Sequence, residues 1–243
     1  MDSILTLDQI ALNAWSPFQQ IFFEGWVLRF ADGFTKRANS ANLISPIDTD
    51  PAALTEYVEC QYRARNLPPL FRIIDHPLAK PIDEYLAKRN YSVLDRTLVM
   101  TCPIATFRAQ DNEPIAIQSV DANTWFACYH ALNQDRAPSP AHLHILQNIV
   151  PPYLFAVLNK ANSTVACGIG VLERGYFGLF EIITHPAARR QGHATKLISG
   201  MVNWARQRGA HTLYLQVVET NLPARNLYQK LGFTDAYAYW YRV

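Results

Sequence analysis

The chain has 243 residues, 49% of them hydrophobic, which is enough apolar material for one large core or two small ones without disulfide or metal staples. Its 22 basic and 20 acidic side chains nearly balance, and no long single-sign run marks a nucleic-acid arm or a membrane-surface patch. Cys60, Cys102, Cys128 and Cys167 fall in neither CxxC nor Cys/His ligand spacing; this argues against a disulfide frame or a metal site and for free thiols in the cytoplasm.

The opening stretch MDSILTLDQIALNAW carries Asp2 and Asp8, lacks a basic leader and never sustains an apolar run, so neither a signal peptide nor a membrane helix is expected. A helix is predicted near Ile4–Trp15. An apolar strand follows at Gly25–Ala31, with a hairpin signal at Asp32-Gly33 and a return strand over Phe34–Ile44. Leu54, Val58, Tyr62 and Arg65 recur at helical spacing and predict a helix over Pro51–Asn66. A strand at Phe71–Asp75, a helix at Leu78–Arg89 and a strand at Tyr91–Thr101 continue the alternation, which favours an α/β sheet.

The polar stretch Thr106–Pro114, with Gln110, Asp111 and Asn112, reads as a linker, so a first domain is expected over 1–104 and a second over 105–243. Beyond it the pattern predicts a strand at Ile115–Val120 and helices at Asn123–Gln134 and Pro140–Ile149. Tyr153–Asn159, Thr164–Glu173 and Tyr176–Thr184 are expected to form an antiparallel meander, because their connections are short. Gly192–Gly209 places Ala194, Leu197, Ile198, Met201, Val202 and Ala205 on one helical face and stops at a glycine. A buried strand at Leu213–Val218, a helix at Pro223–Leu231 that starts on a proline, and an aromatic strand at Phe233–Val243 complete the chain.

Sliding the sequence by 142 residues sets helix 51–66 against 193–208, strand 71–75 against 213–217, and the stretch 79–101 against 221–243. Identities are few, and two strand-helix-strand units can agree by chance, so duplication and coincidence both remain open. The halves differ where chemistry would matter. Opposite Arg190-Gln191-Gly192 stand Asp48-Thr49-Asp50, and opposite Tyr228 stands Leu86. Aspartates at a helix start would repel an anion that backbone N–H groups otherwise attract, so only the second half is expected to bind one.

Two segments carry the chemistry. Glu181–Thr195 ends a strand, turns at Pro186 and enters an amphipathic helix through Arg189-x-x-Gly192-x-Ala194. Small residues at 192 and 194 let the helix-start N–H groups approach an anion closely. The next strand is followed by Asn221-x-x-Ala224-x-x-Leu227-Tyr228-x-Lys230-Leu231-Gly232-Phe233. In this order and spacing the two segments resemble the cofactor motifs of the GNAT N-acetyltransferase superfamily, sharply over Glu181–Phe233 and in outline over 105–243. The first half resembles an N-terminal region of two-part GNAT proteins.

That resemblance implies an α/β (α+β) fold with a mixed, largely antiparallel sheet flanked by helices, in two related halves of which the first is degenerate. It implies acetyl-coenzyme A as co-substrate, with Arg190, Gln191, Gly192, His193, Ala194 and Thr195 offering main-chain donors to the pyrophosphate and Arg189 adding charge. Ile182, Ile183 and Thr184 would lie beside the pantetheine arm together with Asn221 and Ala224. Tyr228 would protonate the departing thiolate, and Glu181 would take the proton of the amine. Read from its residue type alone, Glu181 is equally a solvated or arginine-paired strand glutamate. His185 and His193 read as a solvated loop side chain and a first-turn side chain. The expected partner is a primary amine on a small molecule or a peptide, with homodimerisation left open and neither nucleic acid nor membrane expected. The competing readings are a non-catalytic acyl-coenzyme A binder and an ATP-binding protein. The second lacks a Gly-x-x-x-x-Gly-Lys-Ser/Thr loop.

Overall fold

The computed structural model describes residues 3–46, 49–108, 117–133, 137–161 and 163–243. The chain gathers into two units, the first made of residues 1–99, 218–220 and 236–243, the second of 100–217 and 221–235. No helix among the described residues is long and apolar enough to cross a membrane.

In the first unit, α1 (Ser3–Asn13), α2 (Pro51–Arg63) and α3 (Lys80–Lys88) accompany the strands β1 (Gln19–Phe23), β2 (Trp26–Phe30), β3 (Ala41–Leu43) and β4 (Phe71–Ile74). The first residues of β5 (Val93–Pro103) and most of β11 (Thr234–Arg242) complete it, and the strand order is β1-β2-β3-β4-β11-β5. β1 and β2 pair antiparallel, β2 and β3 antiparallel, and β3 and β4 parallel.

The hairpin expected at Asp32-Gly33 closes instead at Glu24-Gly25, where φ is 40° and 80° and Phe23 pairs with Trp26. β1 went unread because Gln19-Gln20 opens it with exposed polar residues. The strand expected over 34–44 shortens to β3, since Asp32 and Gly33 start a loop that the Asn39 side chain organises. Its Oδ1 accepts from the N–H groups of Ala31 and Gly33, and its Nδ2 donates to the carbonyls of Phe34 and Thr35. An asparagine that satisfies loop backbone in this way competes with strand pairing.

The core of the first unit is polar at its centre. Arg72 on β4 donates from Nη1 and Nη2 to the two Asp8 oxygens on α1, at 2.8 and 2.7 Å, and the Tyr237 hydroxyl on β11 donates to the same carboxylate at 2.8 Å. Buried Arg29 donates to the carbonyls of Leu12, Trp15 and Arg37.

The second unit orders its strands β10-β9-β8-β7-β6: β6 (Gln118–Ser119), β7 (Tyr153–Lys160), β8 (Ser163–Glu173), β9 (Tyr176–Thr184) and β10 (Thr212–Val218, through Val217). β7, β8 and β9 form the expected antiparallel meander, and β10 returns parallel to β9 after α6 (His193–Arg206). α4 (Ala122–Leu132), α5 (Pro140–Gln147) and α7 (Leu222–Lys230) complete the unit. The Trp125 indole N–H on α4 donates to the Gly168 carbonyl of β8 at 3.1 Å, tying α4 to the meander. The fold is thus a mixed sheet, mostly antiparallel and flanked by helices, as expected.

Two expectations change or fall out of view. The linker residues 110–112, part of the strand expected at 115–120, Gln134 and Asp48 lie outside the described residues. A single cut at 104/105 does not describe the division, because residues 236–243 belong with the first unit, where β11 pairs antiparallel with β4 from Tyr239–Ile74 to Arg242–Phe71. The 142-residue offset meanwhile superimposes α3 onto α7 end for end, 80 to 222 and 88 to 230, and Pro51 at the start of α2 onto His193 at the start of α6.

Candidate active site

The site is built where β9 stops pairing with β10. The parallel ladder runs from Thr212–Tyr176 to Leu215–Leu179, and β9 continues to Thr184 paired with β8 on its other edge. Between Cys167 and Ile169 the β8–β9 register slips by one residue, and Glu181 sits in this bulge with φ 49°. A bulge bends a strand and re-aims its side chains, often beside a functional site. It sends Ile182, Ile183 and Thr184 along one wall of a cleft of about 780 Å³, within the size range of small-molecule sites.

The second wall is the start of α6. Arg190 and Gly192 take positive φ, 60° and 79°, and lead the chain into the helix with no side-chain cap. The first four N–H groups of a helix have no partner within it, and here the N-cap position, Gly192, has no side chain to supply one. A Cβ at Gly192 would meet nothing within 4 Å, so the backbone borders open space that a ligand can fill. Arg189, Arg190, Gly192, His193, Ala194 and Thr195 all line the cleft. Ala188, Pro223, Asn226, Leu227 and Lys230 add to the wall alongside the expected Asn221 and Ala224. Among these described lining residues Arg189, Arg190 and Lys230 are cationic and none is acidic, which suits a multiply charged anion.

The other expected residues are placed less directly. The Gln191 amide donates to the Ala187 carbonyl and so serves its own loop. Asn221 lines the cleft while its Oδ1 accepts from the Ala224 N–H at the start of α7. His185 accepts from the Ala187 N–H, a turn-capping role. The buried His193 has its pKa lowered, first by burial and then by Lys160 and Lys196, which favours its neutral form. Tyr228 is buried, its ring set edge-on to Phe233 at 5.8 Å, and burial pushes its hydroxyl pKa up to about 12. Neither Tyr228 nor Glu181 is among the residues walling the cleft.

The Glu181 side chain turns to α5, where Nε2 of the fully buried His142 stands 3.1 Å from its Oε2. Sequence reading missed His142. No spacing relates it to Glu181, and only its place in an apolar helix beside Trp125 and Tyr129 could have drawn attention to it.

The first helix at the matching position, α2, differs at the decisive point. Asp50 caps it, its carboxylate accepting from the N–H groups of Ala52 and Ala53 at 3.1 and 3.3 Å. These donors are already satisfied by a fixed negative charge.

Comparison with known proteins agrees with this geometry. Residues 2–242 match the family described as "Probable histone acetyltransferase Rv0428c C-terminal". The "Uncharacterized N-acetyltransferase YobR" of Bacillus subtilis is 28% identical over 250 residues, covering all of this chain and 99% of that protein. The [Ribosomal protein bS18]-alanine N-acetyltransferase of Haemophilus ducreyi is 40% identical over 91 residues, 37% of this chain and 63% of its own length. A GCN5-related N-acetyltransferase from Kribbella flavida shares the fold across 99% of this chain and 95% of its own, with a TM-score of 0.72 at 14% identity. With the family model spanning both units, the chain belongs to that acetyltransferase family, within the GNAT superfamily of acyltransferases.

Proposed function

We propose that the protein transfers the acetyl group of acetyl-coenzyme A to a primary amine of a small molecule or a peptide N-terminus. The observation that carries this reading is the uncapped start of α6 at Gly192, opening onto a cationic cleft that Ile182–Thr184 also line, on the part of β9 beyond its ladder with β10. Unsatisfied helix-start N–H groups and the helix dipole suit a pyrophosphate. A strand edge that β10 no longer covers suits the extended, amide-bearing pantetheine arm, which can continue the β ladder.

In this reading the N–H groups of Gly192–Thr195 hold the pyrophosphate and Arg189, Arg190 and Lys230 neutralise it. β9 aligns the thioester, and a strand N–H beside the bulge stabilises the oxyanion. Glu181 takes a proton from the acceptor ammonium, directly or through water. The amine nitrogen then bonds to the acetyl carbon as the carbon–sulfur bond breaks; Tyr228, neutral up to about pH 12, protonates the departing thiolate, and the second proton that the nitrogen sheds in becoming an amide restores the tyrosine through solvent. Relatives named as [Ribosomal protein bS18]-alanine N-acetyltransferases support a peptide amine as one class of acceptor. The first unit is read as a related half without a cofactor site of its own, because Asp50 occupies the helix start that Gly192 leaves open.

Calorimetric titration with acetyl-coenzyme A tests this, on the wild type and on Gly192→Asp. Aspartate is among the residues that tolerate positive φ, so the variant should fold while its carboxylate caps α6 as Asp50 caps α2. Saturable binding by the wild type, reduced at least about a hundredfold in a variant with unchanged thermal unfolding, is the expected result; it corresponds to about 2.7 kcal/mol. A wild type that fails to bind acetyl-coenzyme A overturns the reading.

A further inference from the structure

The His142–Glu181 pair lies outside the cofactor cleft and has no part in the steps above beyond the carboxylate itself. His142 stands in the first turn of α5 with no exposed surface, its ring edge-on to Trp125 at 6.2 Å, Phe126 at 5.4 Å, Tyr129 at 5.2 Å and His130 at 5.6 Å, all on α4. Its Nε2 is 3.1 Å from Glu181 Oε2, and the Glu181 side chain keeps only 10% of its surface exposed. Glu181 occupies the bulge of β9 at φ 49°, where the regular ladder does not dictate the direction of the side chain.

We propose that His142 is a positioning residue for the acyl transfer: its Nε2–H holds one oxygen of Glu181, so that the other is aimed at the acceptor amine. This rests on the reading of Glu181 as the base. A glutamate has three rotatable bonds, and a base pointing along several directions loses the advantage of fixed geometry. The aromatic cage removes that freedom from His142, and His142 passes the restraint to the carboxylate. In its neutral Nε2–H form the imidazole donates without taking the charge that a base needs, the same arrangement by which outer-shell partners orient a functional group. The groups facing the pair from the packed elements are His130, Cys128 and Tyr129 on α4 and Cys167 on β8. The Cys167 thiol is pushed up in pKa by burial, then by Cys128 and Glu181. Of these neighbours and Glu181, it is Glu181 whose carboxylate oxygen stands 3.1 Å from His142 Nε2.

The pair can be read without knowing the acceptor. In a pH series of spectra of protein labelled with ¹⁵N-histidine, wild-type His142 should carry its proton on Nε2. In Glu181→Gln the Nε2–H resonance of His142 should move, because the carboxylate oxygen 3.1 Å from it is gone. An Nδ1–H tautomer in the wild type, or an unchanged Nε2–H resonance in Glu181→Gln, overturns the proposal. Kinetics then separate positioning from packing, using the amine found by a thiol-release screen with acetyl-coenzyme A. His142→Leu should lower kcat about tenfold or more with KM for acetyl-coenzyme A unchanged, and His142→Gln, whose amide can still donate, should recover most of it. Equal losses in the two variants refute a positioning role. Failure of the wild type to bind acetyl-coenzyme A sinks the functional reading instead, and the spectra still report the pair.

Discussion

At the scale of single residues, burial decides what Tyr228 can do. With its hydroxyl pKa raised to about 12, the group stays protonated wherever the protein works, the state a proton donor needs. Tyr228→Phe should therefore lower kcat and kcat/KM together, with KM for acetyl-coenzyme A little changed, in steady-state thiol-release assays. The same shift links to stability. Between the unfolded value near 10 and the folded value near 12 the unfolded chain has lost a proton that the folded chain keeps, so stability falls as pH rises through that window. The contribution is about 3 kcal/mol at most. Urea unfolding at pH 8 and pH 11 should show a smaller alkaline loss in Tyr228→Phe than in the wild type. A loss of equal size in both would mean that Tyr228 ionises normally. The motif that contains Tyr228 was legible in the sequence. Its burial, and the absence of its side chain from the cleft wall, were not, because both depend on how Phe233 and the helix pack.

At the scale of elements, two helix starts of the same register have opposite chemistry. α6 begins on Gly192 with its N–H groups open, and α2 begins on Asp50 with two of them bonded. Asp50→Ala should cost about 1 kcal/mol in chemical denaturation, the usual worth of a cap, and leave acetyl-coenzyme A affinity unchanged. A loss of affinity would place the cofactor near α2 after all. The contrast was readable from the sequence, since Gly and Asp at a helix start have distinct meanings. The strand bulge was not, because nothing in Phe180-Glu181-Ile182 marks where one extra residue enters a ladder. The meander is packed as tightly as its small residues suggest. A Cβ on Gly170 would come within 2.1 Å of the Phe177 ring, so Gly170→Ala should lower stability by about 1–3 kcal/mol in thermal or urea unfolding.

At the scale of the whole molecule, sequence reading recovered the alternation of strands and helices, since it is written in hydrophobic spacing. It could see the pairing of the β7–β9 meander, whose connections are short, but not the pairing of strands distant in sequence, which leaves no local trace. β11 is the telling case: it follows α7 in the chain, yet residues 236–243 belong to the first unit, where β11 pairs with β4 and Tyr237 joins Asp8 and Arg72. All three of those residues are buried, and the Asp8 and Arg72 side chains are each only 1% exposed. Removing one partner of such a buried ion pair strands the other charge at a cost of about 3–5 kcal/mol, so Asp8→Asn should be strongly destabilising. Tyr237→Phe, which removes one hydrogen bond, should cost about 1 kcal/mol. Deleting residues 236–243 goes further, because it takes away a whole strand from beside β4 together with the buried Tyr237, Tyr239 and Tyr241. Limited proteolysis of that truncation should cut first within residues 1–99, more than a hundred residues away in sequence from the deleted strand. Early cleavage confined to residues 100–217 would mean that the first unit stands without its last strand.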